Sequence, residues 1–143
     1  MIYCQLKDIL DGLPKDKSDS YRAHARNVDV GWQQFWMLLH NGTGRVSLKN
    51  LQQIRDYLAL CTNQVKPGSM RFCLDDRMKE RGLTQMQVSE GAGVSYVSVN
   101  RIVNNMMQFV DFSVTDRLYI YLELTSLEEL LDTGGLLIWR EDE

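Results

Sequence analysis

The alternation of apolar and polar positions over residues 83–105 predicts two short helices joined by a tight turn. Thr84 is a suitable N-cap for the first helix, because its hydroxyl can accept a hydrogen bond from an N–H that the helix leaves unpaired. Gly93 can adopt the positive φ that a sharp turn between helices requires. Ser95 is placed to cap the second helix. The pattern therefore predicts a compact helical pair around which the rest of the chain is organised.

The second of these helices is predicted to be amphipathic. Val94, Val99 and Ile102 are separated by five and three positions, so their side chains can share one buried side. The side chains predicted to face away from that side are Tyr96, Val97, Asn100 and Arg101. Such a helix packs on its domain with one face and presents the other face to a partner.

Helical spacing of apolar residues also occurs in the first half of the chain. It predicts short helices over residues 4–13, 20–27 and 30–40, and a longer amphipathic helix over residues 48–60. The clearest linker signal is Lys66-Pro67-Gly68-Ser69. The fold class expected from these patterns is all-α.

The C-terminal segment Gly134-Gly135-Leu136-Leu137-Ile138-Trp139-Arg140 is too short to form a helix of its own after two glycines. It is predicted to be a short extended arm or an edge strand. Its adjacent large apolar residues need a partner, which is either the first half of the chain or a second chain.

The two halves of the chain resemble each other when the sequence is shifted by 64 positions. Tyr57-Leu58-Ala59-Leu60 then aligns with Tyr121-Leu122-Glu123-Leu124, and Phe35 aligns with Val99. This predicts two tandem, divergent copies of one five-helix unit, a first domain over residues 1–65 and a second over residues 66–143. The alternative is an unrelated helical N-terminal domain whose periodicity coincides with that of the second half.

Composition and charge restrict the class of protein. The chain has 143 residues, 44% of them hydrophobic, which favours a folded protein. No apolar run approaches the roughly 20 residues that span a bilayer, and the N-terminus lacks a signal-peptide pattern, so no membrane association is expected and the default location is the cytoplasm. The net charge is −3, but residues 1–65 hold eight Lys and Arg against six Asp and Glu, whereas residues 66–143 hold eight against thirteen. The net charge is therefore weak evidence for or against a nucleic-acid partner.

The sequence contains no recognisable catalytic or metal-binding motif. Its three cysteines are not spaced as metal ligands, and His24 and His40 have no cysteine or carboxylate partners at ligand spacing. Neither a phosphate-cradling glycine loop nor a nucleophile elbow is present. We therefore expect no metal and no cofactor, and we do not expect an enzyme.

The predicted helical pair resembles the helix-turn-helix of the Cro and lambda-repressor-like (XRE) family. The resemblance covers roughly residues 70–132 and rests on Gly82-Leu83-Thr84-Gln85, Ala92-Gly93-Val94-Ser95, Val99 and Arg101-Ile102. Residues 124–131 resemble the closing helix of the family. The sequence departs from the family pattern at Ser89, where alanine is usual, and at Asn105-Met106, which indicates a remodelled loop after the second helix.

The resemblance implies two tandem lambda-repressor-like domains that bind a double-stranded DNA operator. A B-DNA major groove admits one α-helix, and the helix 95–104 is the first candidate for reading it, with a possible second reading helix at 32–41. Arg101 would donate to guanine, Asn100 would pair with adenine, and Val97 would contact a thymine methyl. The other expected DNA-binding residues are Thr84, Gln85, Ser95, Tyr96, Ser98 and Asn104 in the second half, and Gln33, Gln34, Arg45 and Lys49 in the first half.

Family analogy makes the expected protein a prokaryotic, phage or plasmid transcriptional regulator, in particular a repressor. Two reading helices on one chain would form a built-in pseudo-dimer, whereas a homodimer through the C-terminal arm is a second arrangement. A competing hypothesis is a protein-interaction module, such as an antitoxin or phage adaptor, that uses the face of residues 32–39 or the arm of residues 136–139. The three aromatic residues Trp32, Phe35 and Trp36 are expected in the core or at a domain interface.

Overall fold

The computed structural model describes residues 1–42 and 44–141, and most of this part of the chain is helical, as predicted. The first half contains α1 (Leu6–Asp11), α2 (Tyr21–Val28), α3 (Trp32–Leu39) and α4 (Leu48–Cys61). The second half contains α5 (Leu74–Arg81), α6 (Gln85–Ala92), α7 (Tyr96–Val103) and α8 (Phe112–Tyr121). None of the helices described is long and apolar enough to cross a bilayer.

The expectation of an all-α fold was incomplete, because six short strands form three antiparallel two-stranded ladders in the described residues. The strands are β1 (Ile2–Cys4), β2 (Arg45–Ser47), β3 (Arg71–Phe72), β4 (Phe109–Asp111), β5 (Leu131–Asp132) and β6 (Leu137–Trp139). β1 pairs with β6, β2 with β4, and β3 with β5. A strand of two or three residues is too short for its alternation to be recognised along the chain, so only pairing with a distant segment defines it.

The closing helix predicted over residues 124–131 does not form. A single 3₁₀ turn, Leu127–Glu129, takes its place, and the Glu129 carboxylate accepts hydrogen bonds from the backbone N–H groups of Thr125 and Ser126 at 3.0 and 3.2 Å. The chain then extends into β5, which is paired with β3. Within the residues that the structure describes, each half therefore has four α-helices instead of the five expected.

The C-terminal arm packs against the first half of the same chain. β6 pairs with β1 through Ile2 opposite Trp139 and Cys4 opposite Leu137. The indole of Trp139 also stacks on the ring of Tyr119, with the ring centroids 4.1 Å apart. Of the two partners expected for the arm, the structure shows the intramolecular one, and we do not propose a homodimer formed through it.

Buried apolar residues from both halves form one continuous core. Phe35, Leu51 and Ile54 represent the first half, and Val88 and Leu118 represent the second. Two of the three ladders also join the halves, because β1 and β2 lie in the first half while β6 and β4 lie in the second. The linker between the halves is held in place as well, since Val65 is buried and the Lys66 N–H donates to the Gly134 carbonyl at 2.8 Å.

Three elements of the first half are related to three elements of the second half by a constant shift in residue number, which α1 and α5 do not follow. α2, α3 and β2 begin and end 64 residues before α6, α7 and β4, respectively. In the ladder that joins them, Val46 lies opposite Val110, its own counterpart after that shift, while Arg45 lies opposite Asp111 and Ser47 opposite Phe109. An approximate two-fold axis therefore passes through the Val46–Val110 pair.

Candidate nucleic-acid interface

Local sequence determines where α6 begins. The Thr84 side chain accepts from the Gln87 N–H at 3.1 Å, and the Gln87 side chain accepts from the Thr84 N–H at 2.8 Å, which is a complete capping box. Gly82, at φ +63°, ends α5 in the left-handed conformation just before this cap. The predicted cap at Thr84 is therefore present, and its hydroxyl is used within the protein.

The turn between α6 and α7 is fixed by hydrogen bonds to its backbone. Gly93 adopts φ +69°, as predicted. The Ser89 hydroxyl donates to the Val94 carbonyl at 2.6 Å, and an Arg117 N–H donates to the Gly93 carbonyl at 3.0 Å. An alanine at position 89 could not make the first of these bonds, so the departure from the family pattern noted at Ser89 strengthens the turn.

α7 is amphipathic in the sense that the sequence predicts. Ser95 caps it by accepting from the Ser98 N–H at 3.2 Å, and the Ser95 hydroxyl also donates to the Ser98 hydroxyl at 2.9 Å. Val99 and Ile102 are buried beneath the helix. The outer side chains Tyr96, Val97 and Arg101 are exposed, and among the described residues the Arg101 guanidinium has no hydrogen-bond or ion-pair partner.

Asn100 connects α7 to the start of α6. Its amide N–H donates to the Gln85 side-chain oxygen at 3.0 Å, while Asn100 itself is only partly buried. The Gln85 amide N–H groups and the Asn100 oxygen remain available for an outside partner. At the other end of α7, the Asn104 amide N–H donates to the Asn100 carbonyl at 2.9 Å and so closes the helix. The structure therefore assigns helix-end roles to Thr84, Ser95, Ser98 and Asn104, and outward-facing roles to Gln85, Tyr96, Val97, Asn100 and Arg101.

α3, which corresponds to α7 in the first half, has a different outer surface. Gln33 is exposed, but the Gln34 side-chain oxygen accepts from the Ser47 N–H at 3.3 Å and from the Asn50 amide, so that oxygen is not free to read a base. Trp36 is 50% exposed, and its ring stacks on His40 with centroids 4.1 Å apart.

The three aromatic residues of α3 do not share one environment. Phe35 is in the core, as expected, whereas Trp32 is partly exposed beneath the Arg22 guanidinium, which lies 4.4 Å from its ring centroid. The expectation of a buried or interface position is therefore wrong for Trp36 in the isolated chain. Because large apolar side chains occur on both faces of α3, the spacing of apolar residues alone could not distinguish its buried face from its outer face.

Arg45 and Lys49 are both exposed. The Arg45 guanidinium lies 4.9 Å from the ring centroid of Phe109, across the β2–β4 ladder. Arg45 and Arg101 line one cavity of about 340 Å³ together with residues 106–109. Lys49 lines a neighbouring cavity of about 520 Å³ whose wall is shared with residues 107–109. The segment after α7 therefore brings together cations from both halves, which sequence reasoning did not foresee.

The electrostatic character of this region follows from an absence of acidic residues in two stretches of sequence. No Asp or Glu occurs over residues 30–55 or over residues 91–110, and these stretches include α3, β2, α7 and the loop after α7. The exposed cations Arg45, Lys49 and Arg101 therefore have no acidic neighbours within these stretches, and Asp111, which lies opposite Arg45 across the ladder, uses its carboxylate to cap α8. This signal was present in the sequence and could have been used alongside the net charge.

The described residues contain no cluster of metal-ligating side chains. No three His, Cys, Asp or Glu side chains are close enough there to hold a metal ion. The three cysteines are free thiols. Burial raises the pKa of the Cys4 thiol to about 12, so this group is not a reactive nucleophile at neutral pH.

Comparison with known protein families agrees with the geometry of the second half. Residues 73–133 match the family model described as the Cro/C1-type HTH DNA-binding domain. The match begins just before α5 and extends just past β5, and so includes α6, α7 and the strand that follows α7. No curated protein and no solved structure matches the chain significantly.

Proposed function

We propose that this protein is a sequence-specific double-stranded DNA-binding transcriptional regulator that places α7 in a major groove. The observation that carries the proposal is the exposed face of α7, with Tyr96, Val97 and Arg101 pointing outward from a capped helix inside the segment matched by the DNA-binding family model. A planar guanidinium without an internal partner is suited to bind guanine O6 and N7.

The hydrogen bond between Gln85 and Asn100 supports the same orientation. In a helix-turn-helix complex the first helix crosses the DNA backbone while the second enters the groove. The Gln85 amide and the N-terminus of α6 are then placed to bind a phosphate, since helix N-termini favour anions. Because Asn100 is joined to Gln85 at 3.0 Å, the same contact orients a side chain that can reach a base edge.

We further propose that the chain is a tandem pair of divergent helix-turn-helix units, with the boundary near residue 65, acting as a pseudo-dimer. Three observations support this. The bounds of α2, α3 and β2 repeat after 64 residues in α6, α7 and β4, the β2–β4 register is centred on equivalent valines, and equivalent left-handed residues follow equivalent helices, since Asn41 and Asn105 have φ of +52° and +56°.

The two units would read unlike half-sites. Counted by the 64-residue shift, Met37 of α3 stands where α7 has Arg101, and Trp36 stands where α7 has Asn100. Of the two glutamines predicted to read bases in α3, Gln33 is exposed, whereas Gln34 can offer only its amide N–H groups because its oxygen is bound within the protein. The α7 half-site should therefore dominate specificity, and the operator should not be palindromic. Repression by occluding a promoter is the form of regulation we propose, by analogy with the family.

Selection of duplexes from a random library by the purified chain tests the proposal. We expect enrichment of one asymmetric site, protected from hydroxyl radicals in two stretches about one helical turn apart at one chain per duplex. Enrichment with protection of a single half-site per chain would contradict the pseudo-dimer and leave DNA reading by α7 intact. Absence of any enriched sequence would contradict the function itself.

The second candidate function is a protein-interaction module, and the exposed Trp36 on α3 is the observation that favours it. Retention on random duplex separates the two functions, because DNA binding through phosphates weakens steeply as salt rises, with a slope of roughly −0.9 per neutralised phosphate. Absence of binding to duplex DNA at about 50 mM salt would support the protein-interaction module.

A further inference from the structure

The β2–β4 ladder presents two side chains at the approximate two-fold axis. Val46 and Val110 are buried, so the alternation along each strand turns Arg45 and Phe109 to the opposite, outer side. These two residues are equivalent after the 64-residue shift, and the Arg45 guanidinium lies 4.9 Å from the Phe109 ring centroid. An arginine resting on an aromatic ring therefore marks the centre of the two-fold arrangement.

The same two side chains face the side of the molecule on which α7 is exposed. Arg45, Phe109 and Arg101 line one cavity of about 340 Å³, and Arg101 belongs to the outer surface of α7. A DNA duplex that contacts Arg101 would consequently pass in front of the ladder. Residues 30–55 and 91–110 contain no acidic residue, and the carboxylate of Asp111, which lies opposite Arg45 in the ladder, caps α8 by accepting from the Val114 N–H at 3.1 Å.

The position of the ladder determines which groove it would meet. When two reading helices enter successive major grooves on one face of a duplex, their half-sites lie about 10 base pairs apart. Midway between them, about 5 base pairs from either centre, the minor groove faces the protein. Arginine is the side chain that most often enters a narrow minor groove, because A·T-rich DNA there has an enhanced negative potential.

We infer that Arg45, held on the Phe109 ring, binds the DNA minor groove at the centre of the operator and creates a preference for A·T base pairs that neither reading helix contacts. This inference rests on the proposed function and extends it, because it assigns to the first half of the chain a sequence-dependent contact outside its own helix-turn-helix. The contact with the Phe109 ring restricts the orientation of the Arg45 guanidinium, so that the side chain does not simply turn to the nearest phosphate.

The test uses the duplex selected by the intact protein, with the central base pairs made A·T, G·C or inosine·C. Inosine lacks the guanine N2 amino group in the minor groove but keeps the guanine pattern in the major groove. We expect A·T and inosine·C centres to bind about tenfold more tightly than G·C centres. Inosine·C binding as weakly as G·C would refute a minor-groove contact, and this comparison needs only the wild-type protein.

Variants at position 45 identify the residue responsible. Arg45→Ala should reduce the preference for inosine·C over G·C to about twofold or less, and Arg45→Lys should also reduce it while retaining the phosphate contribution to the salt dependence. The matched control is Arg140→Ala, which removes an exposed arginine that lies 3.5 Å from the ring centroid of Tyr3, beside the β1–β6 ladder.

The outcomes separate this inference from the proposed function. An undiminished central preference in Arg45→Ala would overturn the inference, as would an equal loss in Arg140→Ala. A selected site with no preference at its centre would overturn the inference alone. Failure to select any site would overturn both.

Discussion

Replacing Arg55 should destabilise the protein more than removing any exposed ion pair would. The Arg55 side chain, on α4, is 2% exposed, and its guanidinium donates to the Lys66 carbonyl at 2.9 Å, the Asp132 carbonyl at 3.1 Å and the Pro67 carbonyl at 3.3 Å. One helix of the first half thereby holds both the linker and the strand β5 of the second half. A Cβ on Gly134 would collide with the Lys66 carbonyl oxygen and with the guanidinium, so this crossing is closely packed.

The expected cost follows from what the guanidinium leaves behind. Arg55→Ala leaves three main-chain carbonyls without their hydrogen-bond donor, and each costs about 1–3 kcal/mol of stability when it is buried and unsatisfied. Water can reach part of this site, because Lys66 and Pro67 are exposed residues. We therefore expect a loss of about 3 kcal/mol, against a total of roughly 5–15 kcal/mol for a domain. The ion pair with Asp132 contributes little to this figure, since the Asp132 side chain is 50% exposed.

Urea unfolding followed by far-UV circular dichroism measures this difference. With a slope of roughly 1–3 kcal/mol per molar urea, Arg55→Ala should lower the unfolding midpoint by at least about 1 M. Asp132→Asn is the matched control, because it removes the carboxylate charge, retains a side-chain oxygen for the Gly134 N–H and leaves the main-chain carbonyl in place. It should cost less than about 1 kcal/mol. Equal losses in the two variants, or a loss below about 1 kcal/mol in Arg55→Ala, would refute the reasoning.

Three further variants or treatments test other parts of the fold. Burial lowers the pKa of His24, although Asp19 opposes this. The contribution of the neutral His24 to folding stability should therefore be fully present above about pH 6.5, and it should be lost as the pH falls through the lowered pKa. Urea titrations between about pH 5 and 7.5 should show this loss in the wild type and not in His24→Val. Because burial raises the pKa of Cys4 to about 12, alkylation of the native protein followed by peptide mass mapping should modify the other two thiols first, and early labelling of Cys4 would contradict the structure. Gly91→Ala should lower the thermal midpoint in spite of the better helix propensity of alanine, because its Cβ would collide with the Tyr121 ring, and a raised midpoint would contradict this packing.

The helical pair α6–α7 could be predicted from sequence because its determinants are local. Thr84 and Ser95 cap helices within three residues of their own positions, and Gly93 supplies the turn. Ser20 and Ser47 likewise cap α2 and α4 in the first half, by accepting from the N–H groups of Ala23 and Asn50. Local hydrogen bonds of this kind leave a sequence signature that one chain is sufficient to show.

The ladders and the Arg55 crossing could not be predicted, because they depend on residues far apart in the chain. β2 and β4 are each three residues long and are defined only by each other. Arg55 follows Ile54 in a helix whose apolar stripe was recognised, but nothing near it in sequence indicates that its charge is buried. Distant partners, and not local propensity, determine both features.

The candidate site was predicted in outline, and the structure changes the role of several members. Ser98 and Gln34 have suitable polarity for base contacts, yet their side chains are bound to Ser95 and to the start of α4, respectively. Conversely, Phe109 was not a candidate, because its importance arises only when β4 brings it beside Arg45.

The most direct test of the central claim is the base preference of Arg101→Ala, measured by competition on every single-base variant of the selected site. If the exposed face of α7 reads the groove, this variant should lose roughly 1–3 kcal/mol at one G·C base pair and retain its preferences elsewhere. Arg140→Ala serves as the control for the loss of one positive charge. A uniform loss across all sequences, or an unchanged preference at every base pair, would contradict the claim that α7 reads DNA.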